Sequence, residues 1–163
     1  MKIVFTEVQK FTQWWLWILL IGIGILPIVG MYKQFVLGET FGDNPMSDLG
    51  LIIFCAVVFG LIAMFWLLRL KTEIDQNEIR INFFPFLSKK VPWNDIKSAD
   101  IVNYGFVGYG IRFGSTYGTV YNTNGNTGLA IELRNGKKFV IGTQKEHELN
   151  AIVKKWKEQQ HIY

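Results

Sequence analysis

One cysteine and two histidines are all that this 163-residue sequence offers in thiol and imidazole chemistry. With Cys55 alone, no intramolecular disulfide and no cysteine metal cluster can form. His147 falls in the first turn of an expected helix and His161 in a terminal tail. Neither stands at metal-ligand spacing from Cys, Asp or Glu, and both read as solvated surface residues. No Ser-His-Asp or Cys-His set can be assembled, and the nearest paired carboxylates, Asp95 and Asp100, read as exposed polar positions. The sequence therefore predicts no catalytic residue, no metal site and no bound cofactor, and a protein that is not an enzyme.

Charge is also missing, in two particular places. No charged residue occurs from Trp14 to Tyr32 or from Leu49 to Leu68, runs of 19 and 20 residues. At about 1.5 Å per residue each run spans about 30 Å as a helix, enough to cross a hydrocarbon core. Uninterrupted apolar runs of this length are rare in small soluble domains. The first run exceeds the roughly 7–15-residue apolar core of a signal peptide, and no small-x-small cleavage site follows it. A retained span is expected, kinked at Pro27, with the second span as the neighbour that tolerates the kink. Ala56 and Gly60, four apart in the second run, offer a small-xxx-small face for helix packing.

Lys and Arg are scarce between the runs. The loop from Lys33 to Asp48 holds one lysine against Glu39, Asp43 and Asp48, whereas Lys2 and Lys10 precede the first run and Arg69 and Lys71 follow the second. The positive-inside rule then places both termini in the cytoplasm and the short loop outside. Trp14, Trp15, Trp17 and Trp66 gather at the mouth of this hairpin as an aromatic belt. The expected domains are a transmembrane hairpin over residues 1–71 and a cytoplasmic domain over 72–163. The expected home is a bacterial inner (plasma) membrane, crossed more than once.

Net charge is +4 for the chain and +3 for the part after the second run, from 12 basic and 9 acidic residues. That excess suits a domain lying beside an anionic leaflet. It is too small and too dispersed for nucleic-acid binding.

The soluble part reads mostly as strands. Thr72–Asp75 and Glu78–Phe83 flank a Gln76-Asn77 turn, and Ile79, Ile81 and Phe83 alternate with polar neighbours at the period of a half-buried strand. Another strand is expected near Lys90-Val91, resuming over Ile96–Tyr104. The stretch Gly105–Gly128 carries seven glycines and the segment GYGIRFG. Its glycine spacing does not match a dinucleotide fingerprint and its surroundings are β-rich, so the glycines are read as bulges and turns in a curved sheet. Leu129, Ile131 and Leu133 alternate again, and Asn135-Gly136 predicts a type I′ hairpin turn into Lys137–Ile141. Thr143-Gln-Lys-Glu146 predicts a capping box, followed by an apolar stripe of Leu149, Ile152, Val153 and Trp156.

With these elements in order, Leu70–Trp156 resembles the membrane-anchored bacterial pleckstrin-homology (PH) domain proteins. The likeness rests on LKTEIDQNEIRINFFPF, VPWNDIKS, GYGIRFG and GLAIELRNGKKFVIGTQKEHEL, behind a pair of spans. VPWNDI resembles the family's P-W-x-x-I segment, and IGTQ followed by EL resembles its strand-to-helix junction. The resemblance implies a mainly-β PH-like barrel of about seven antiparallel strands, capped by a C-terminal α-helix. It implies a lipid-binding, peptide-binding or scaffolding role without choosing among them.

Candidate contact residues follow. Lys89 and Lys90 are placed in a β-turn corresponding to the loop with which lipid-binding PH domains grip phosphates. Arg112, Tyr109, Tyr117 and Tyr121 form an arginine set among aromatics, suited to headgroups or a partner's carboxylate, or else to packing within the barrel wall. The leading expectation is a non-enzymatic interaction or scaffold module at the cytoplasmic face, with the bilayer and another protein as partners. The alternatives are an anionic-lipid sensor and an accessory subunit of a larger assembly. A homo-oligomer is left open.

Overall fold

The computed structural model describes residues 3–42, 44–105 and 107–160. Lys2 and Asp43, used above for orientation, and His161 lie outside them. The chain divides into two compact units, one of residues 12–67 and one that joins residues 1–11 to 68–163.

In the helical unit, α1 (Trp14–Met31) runs on through a π-helical turn, Tyr32–Leu37, and α2 (Asp48–Leu67) returns. Both helices are long and apolar enough to cross a membrane, with mean hydropathy 2.1 and 2.7. Their buried residues form one stripe each, Leu20, Gly24, Pro27 and Gly30 on α1 and Leu51, Cys55 and Val58 on α2. The α1 glycines pack closely on α2: a Cβ on Gly24 would lie 3.1 Å from the Ile62 side chain, and one on Gly30 would lie 3.1 Å from Leu51. Gly60 faces open space, so the Ala56/Gly60 pair does not make this packing.

The β unit begins with a strand not anticipated from the sequence, β1 (Ile3–Lys10). It pairs antiparallel with β2 (Arg69–Asp75), and Lys10 is the register partner of Arg69. Strands β3 (Glu78–Phe84) and β4 (Leu87–Pro92) complete a four-stranded meander in the order β1-β2-β3-β4. The inward face of β1 carries Phe5, Glu7 and Gln9, all buried, while Val4 and Val8 point outward and are exposed.

After a single 3-10 turn at Trp93–Asp95, β5 (Ile96–Asn103) opens the second sheet. Strands β6 (Gly110–Ser115), β7 (Gly118–Asn122), β8 (Thr127–Leu133) and β9 (Lys138–Gly142) give the order β5-β8-β9-β7-β6. All neighbours are antiparallel except β7 and β9, which are parallel. Gly118 permits this close pairing: its φ is +83° and an added Cβ would lie 2.1 Å from the Lys138 carbonyl oxygen. The β8–β9 connection has four residues, 134–137, with Leu133 N–H donating to Lys137 O, Gly136 N–H donating to Leu133 O, and Gly136 at φ +82°. One left-handed glycine suffices there, in place of the two-residue type I′ turn expected from Asn135-Gly136.

The barrel expectation is corrected in the same terms. Among the described residues nine strands form two sheets, and the barrel is not closed. In a β5-β8-β9 meander the outer edge of β9 would be free, but β7 takes it. The extra hairpin β6–β7 thus occupies an edge that closure needs. Helix α3 (Glu146–Gln160) buries Leu149, Val153 and Trp156, with Ile152 half-buried, as its spacing predicts.

Candidate functional site

The six candidate contact residues do not converge. Lys89 and Lys90 lie on strand β4 and not in a turn, so they point to opposite faces. Lys89 turns inward, its Nζ 3.7 Å from the centroid of the Phe139 ring. Burial, and then Lys137, push its ammonium below the ordinary lysine value. Lys90 is exposed, opposite Arg80.

Tyr121 also faces the interior, edge-on to Phe139 at 6.2 Å, and burial raises its phenol pKa. Arg112 pairs with Val120, one residue back on β7, and so belongs to the other face. Its guanidinium lies over Gly108, where an added Cβ would be 3.0 Å from Nε. Tyr117 packs on a small second core of Tyr104, Val120 and Val140. Tyr109 is half-buried. The glycine-rich stretch therefore lays a minor hydrophobic cluster over the outer face of the second sheet. Asn122 Nδ2 donates to Tyr104 Oη at 3.2 Å within it.

A groove lies where α3 meets the β2–β3 turn and the 3-10 turn. It encloses about 340 Å³, and its lining includes Val4, Gln76, Trp93, Lys155, Trp156 and Gln159. Trp93 and Trp156 stack with centroids 4.8 Å apart. Trp93 Nε1 donates to Asp75 O at 3.0 Å, whereas Trp156 Nε1 is buried with no acceptor among the described residues. Beneath the groove, the Asp75 carboxylate accepts from Asn77 N at 2.8 Å, Glu78 N at 3.0 Å and the Arg80 guanidinium. Burial acts to raise its pKa, but the two amides and Arg80 outweigh it and hold the carboxyl below the usual aspartate value.

A polar seam joins β1 to the start of α3. Thr143 Oγ1 donates to Glu7 Oε2 at 2.7 Å, and Gln144 N donates to Glu7 Oε1 at 2.7 Å. Gln9 Nε2 donates to Gly142 O at 2.7 Å, and Thr123 Oγ1 donates to Gln9 Oε1 at 3.3 Å. Thr143 Oγ1 accepts the amide of Lys145 at 3.0 Å, so the capping carboxylate that follows it in space is Glu7 and not Glu146. Alternation signals miss Glu7 and Gln9, since they reward apolar residues on the inner face. Among the described residues no group of three or more His, Cys, Asp or Glu is placed to hold a metal ion.

Comparison of the chain with protein-family models, curated proteins and solved structures finds no match.

Proposed function

We propose that this chain is a membrane-anchored, non-enzymatic interaction module on a PH-like scaffold, held at the cytoplasmic face of a bacterial plasma membrane by its helical hairpin. The observation that carries this reading is the pairing of Lys10 with Arg69. The strands on either side of the two apolar helices are hydrogen-bonded neighbours. An even number of crossings between them is therefore required, and two spans satisfy it. The basic flanks then favour the cytoplasmic side for the whole β unit. Setting aside β6–β7, seven strands and the terminal helix α3 remain, the element count that the PH resemblance implies.

The module's docking place is the groove beside α3. Its tryptophans supply an apolar floor and Lys155 a cation, which together fit a peptide segment of another protein carrying a carboxylate. The lipid-sensing alternative draws less support, because Lys89 of its basic pair is directed onto Phe139.

A photocrosslinker at Gln159 of the full-length chain in native membranes tests the docking. A discrete adduct from Gln159 that is absent with the crosslinker at Phe113 is expected. No adduct, or the same adducts from both positions, removes the groove as a docking place.

A further inference from the structure

The β3–β4 tip carries a feature that the docking groove does not use. Phe84 and Phe86 flank Pro85 in the turn after β3, where Phe86 N donates to Phe83 O at 2.8 Å. They are 39% and 60% exposed, two apolar rings at the surface with one residue between them. Strand register fixes which end of the sheet this tip occupies. Phe84 is the partner of Arg69, and Arg69 is the partner of Lys10. Arg69 in turn follows the end of α2 at Leu67 by two residues, a reach of about 7 Å at most. The tip therefore lies at the sheet end from which the chain enters and leaves the two apolar helices.

The chemistry of that end is uniform. The Arg69 guanidinium stands 5.4 Å from the centre of the Phe84 ring, and Lys10 lies in the next strand. Along the chain the neighbouring helix ends carry Trp14 and Trp66, 74% and 68% exposed. Aromatic rings beside arginine and lysine are the composition of a membrane–water interface, where rings sit at headgroup level and cations reach the phosphates. Among the described residues, the opposite end of the sheet, with Gln76, Asn77 and Asn94, carries no such exposed ring.

We propose that the Phe84-Pro85-Phe86 tip is a third membrane contact, dipping into the headgroup region of the same leaflet. It rests on the membrane-anchored reading above, and adds a lipid site in the β unit that is driven by ring burial rather than by net charge. The occupant is the bilayer interface, because register puts the tip at the strand ends, Lys10 and Arg69, that continue directly into the two apolar helices.

The test uses the full chain in phosphatidylcholine nanodiscs, with Cys55→Ala as background. Single nitroxide labels are placed by Phe86→Cys, Asn94→Cys and Leu61→Cys, and collision with oxygen is compared with collision with a water-soluble nickel chelate. Phe86 and Asn94 are surface positions, and an unchanged far-ultraviolet circular dichroism spectrum confirms each fold. The expected order of oxygen preference is Leu61 first, Phe86 intermediate and Asn94 last, unchanged at high salt. If Leu61 reports lipid while Phe86 matches Asn94, the tip proposal is overturned and the anchor stands. If Leu61 also reports water, the anchor reading fails and takes the tip proposal with it.

Discussion

Glu7 and Thr143 meet at 2.7 Å although they lie 136 positions apart in the sequence. Their hydrogen bond fastens the first strand to the start of the last helix, and the same carboxylate takes the Gln144 amide. A buried carboxylate with two such donors does not tolerate truncation. Glu7→Ala leaves a hydroxyl and an amide without their acceptor and is expected to cost about 1–3 kcal/mol. Thr143→Ala is expected to cost a similar amount, and the double variant less than the two added together. A double-mutant cycle by denaturant unfolding in detergent checks this; strict additivity would show that the two residues do not act as a pair.

Asp75 gives the β unit an acid-sensitive element. Its carboxyl is held below the ordinary aspartate value when folded, so the folded state prefers the charged form. That preference contributes stability above the unfolded pKa of about 3.9, and it is lost as pH falls below that value. Asp75→Asn is expected to be less stable than the parent at pH 6, with the gap closing as pH drops below about 4. A gap that stays constant with pH would place the loss in the side chain's shape rather than its charge.

Lys89 also makes stability rise with pH, but here it is the charged form that the fold disfavours. Burial lowers its pKa, so the folded state releases the proton more readily and stability rises as pH climbs from the depressed value toward about 10.4. Lys89→Met keeps the stem over Phe139 without the charge. It is expected to match or exceed the parent's stability at pH 7, and to lack the parent's gain at alkaline pH. Unfolding curves of both chains from pH 7 upward decide the matter.

Gly118 is where the β6–β7 hairpin meets β9. Gly118→Ala meets the Lys138 carbonyl and must hold a left-handed backbone, a strain of about 1–3 kcal/mol before any shift of the strand. Amide exchange is expected to speed up over Thr119–Tyr121 and leave β1–β4 unchanged. Uniform acceleration across the unit would mean that the hairpin and both sheets form one cooperative block.

Much of this architecture is legible from residues alone. Charge-free runs mark α1 and α2, alternation marks β3 and β8, and the Leu149-Ile152-Val153-Trp156 stripe marks α3. β1 is hidden for a definite reason: Glu7 and Gln9 face inward and Val4 and Val8 outward, the reverse of the pattern that burial normally writes. Its partner strand also lies beyond 58 intervening residues, from Lys10 to Arg69. The parallel pairing of β7 with β9 is likewise invisible, because glycines announce turns without saying which edge they reach. Residue type alone groups the candidate site residues, whereas strand alternation separates Lys89 from Lys90 and Tyr121 from Arg112.

The central claim is that the β unit is assembled from both flanks of the hairpin, and deletion of the hairpin measures it directly. Residues 12–67 are replaced by Asn-Gly, a turn suited to the antiparallel β1–β2 pair. The resulting chain is expected to be water-soluble and monomeric and to unfold in one cooperative transition. The same chain without residues 1–11 is expected to be unfolded or aggregated. Equal stability of the two would show that β1 is dispensable and would contradict the account.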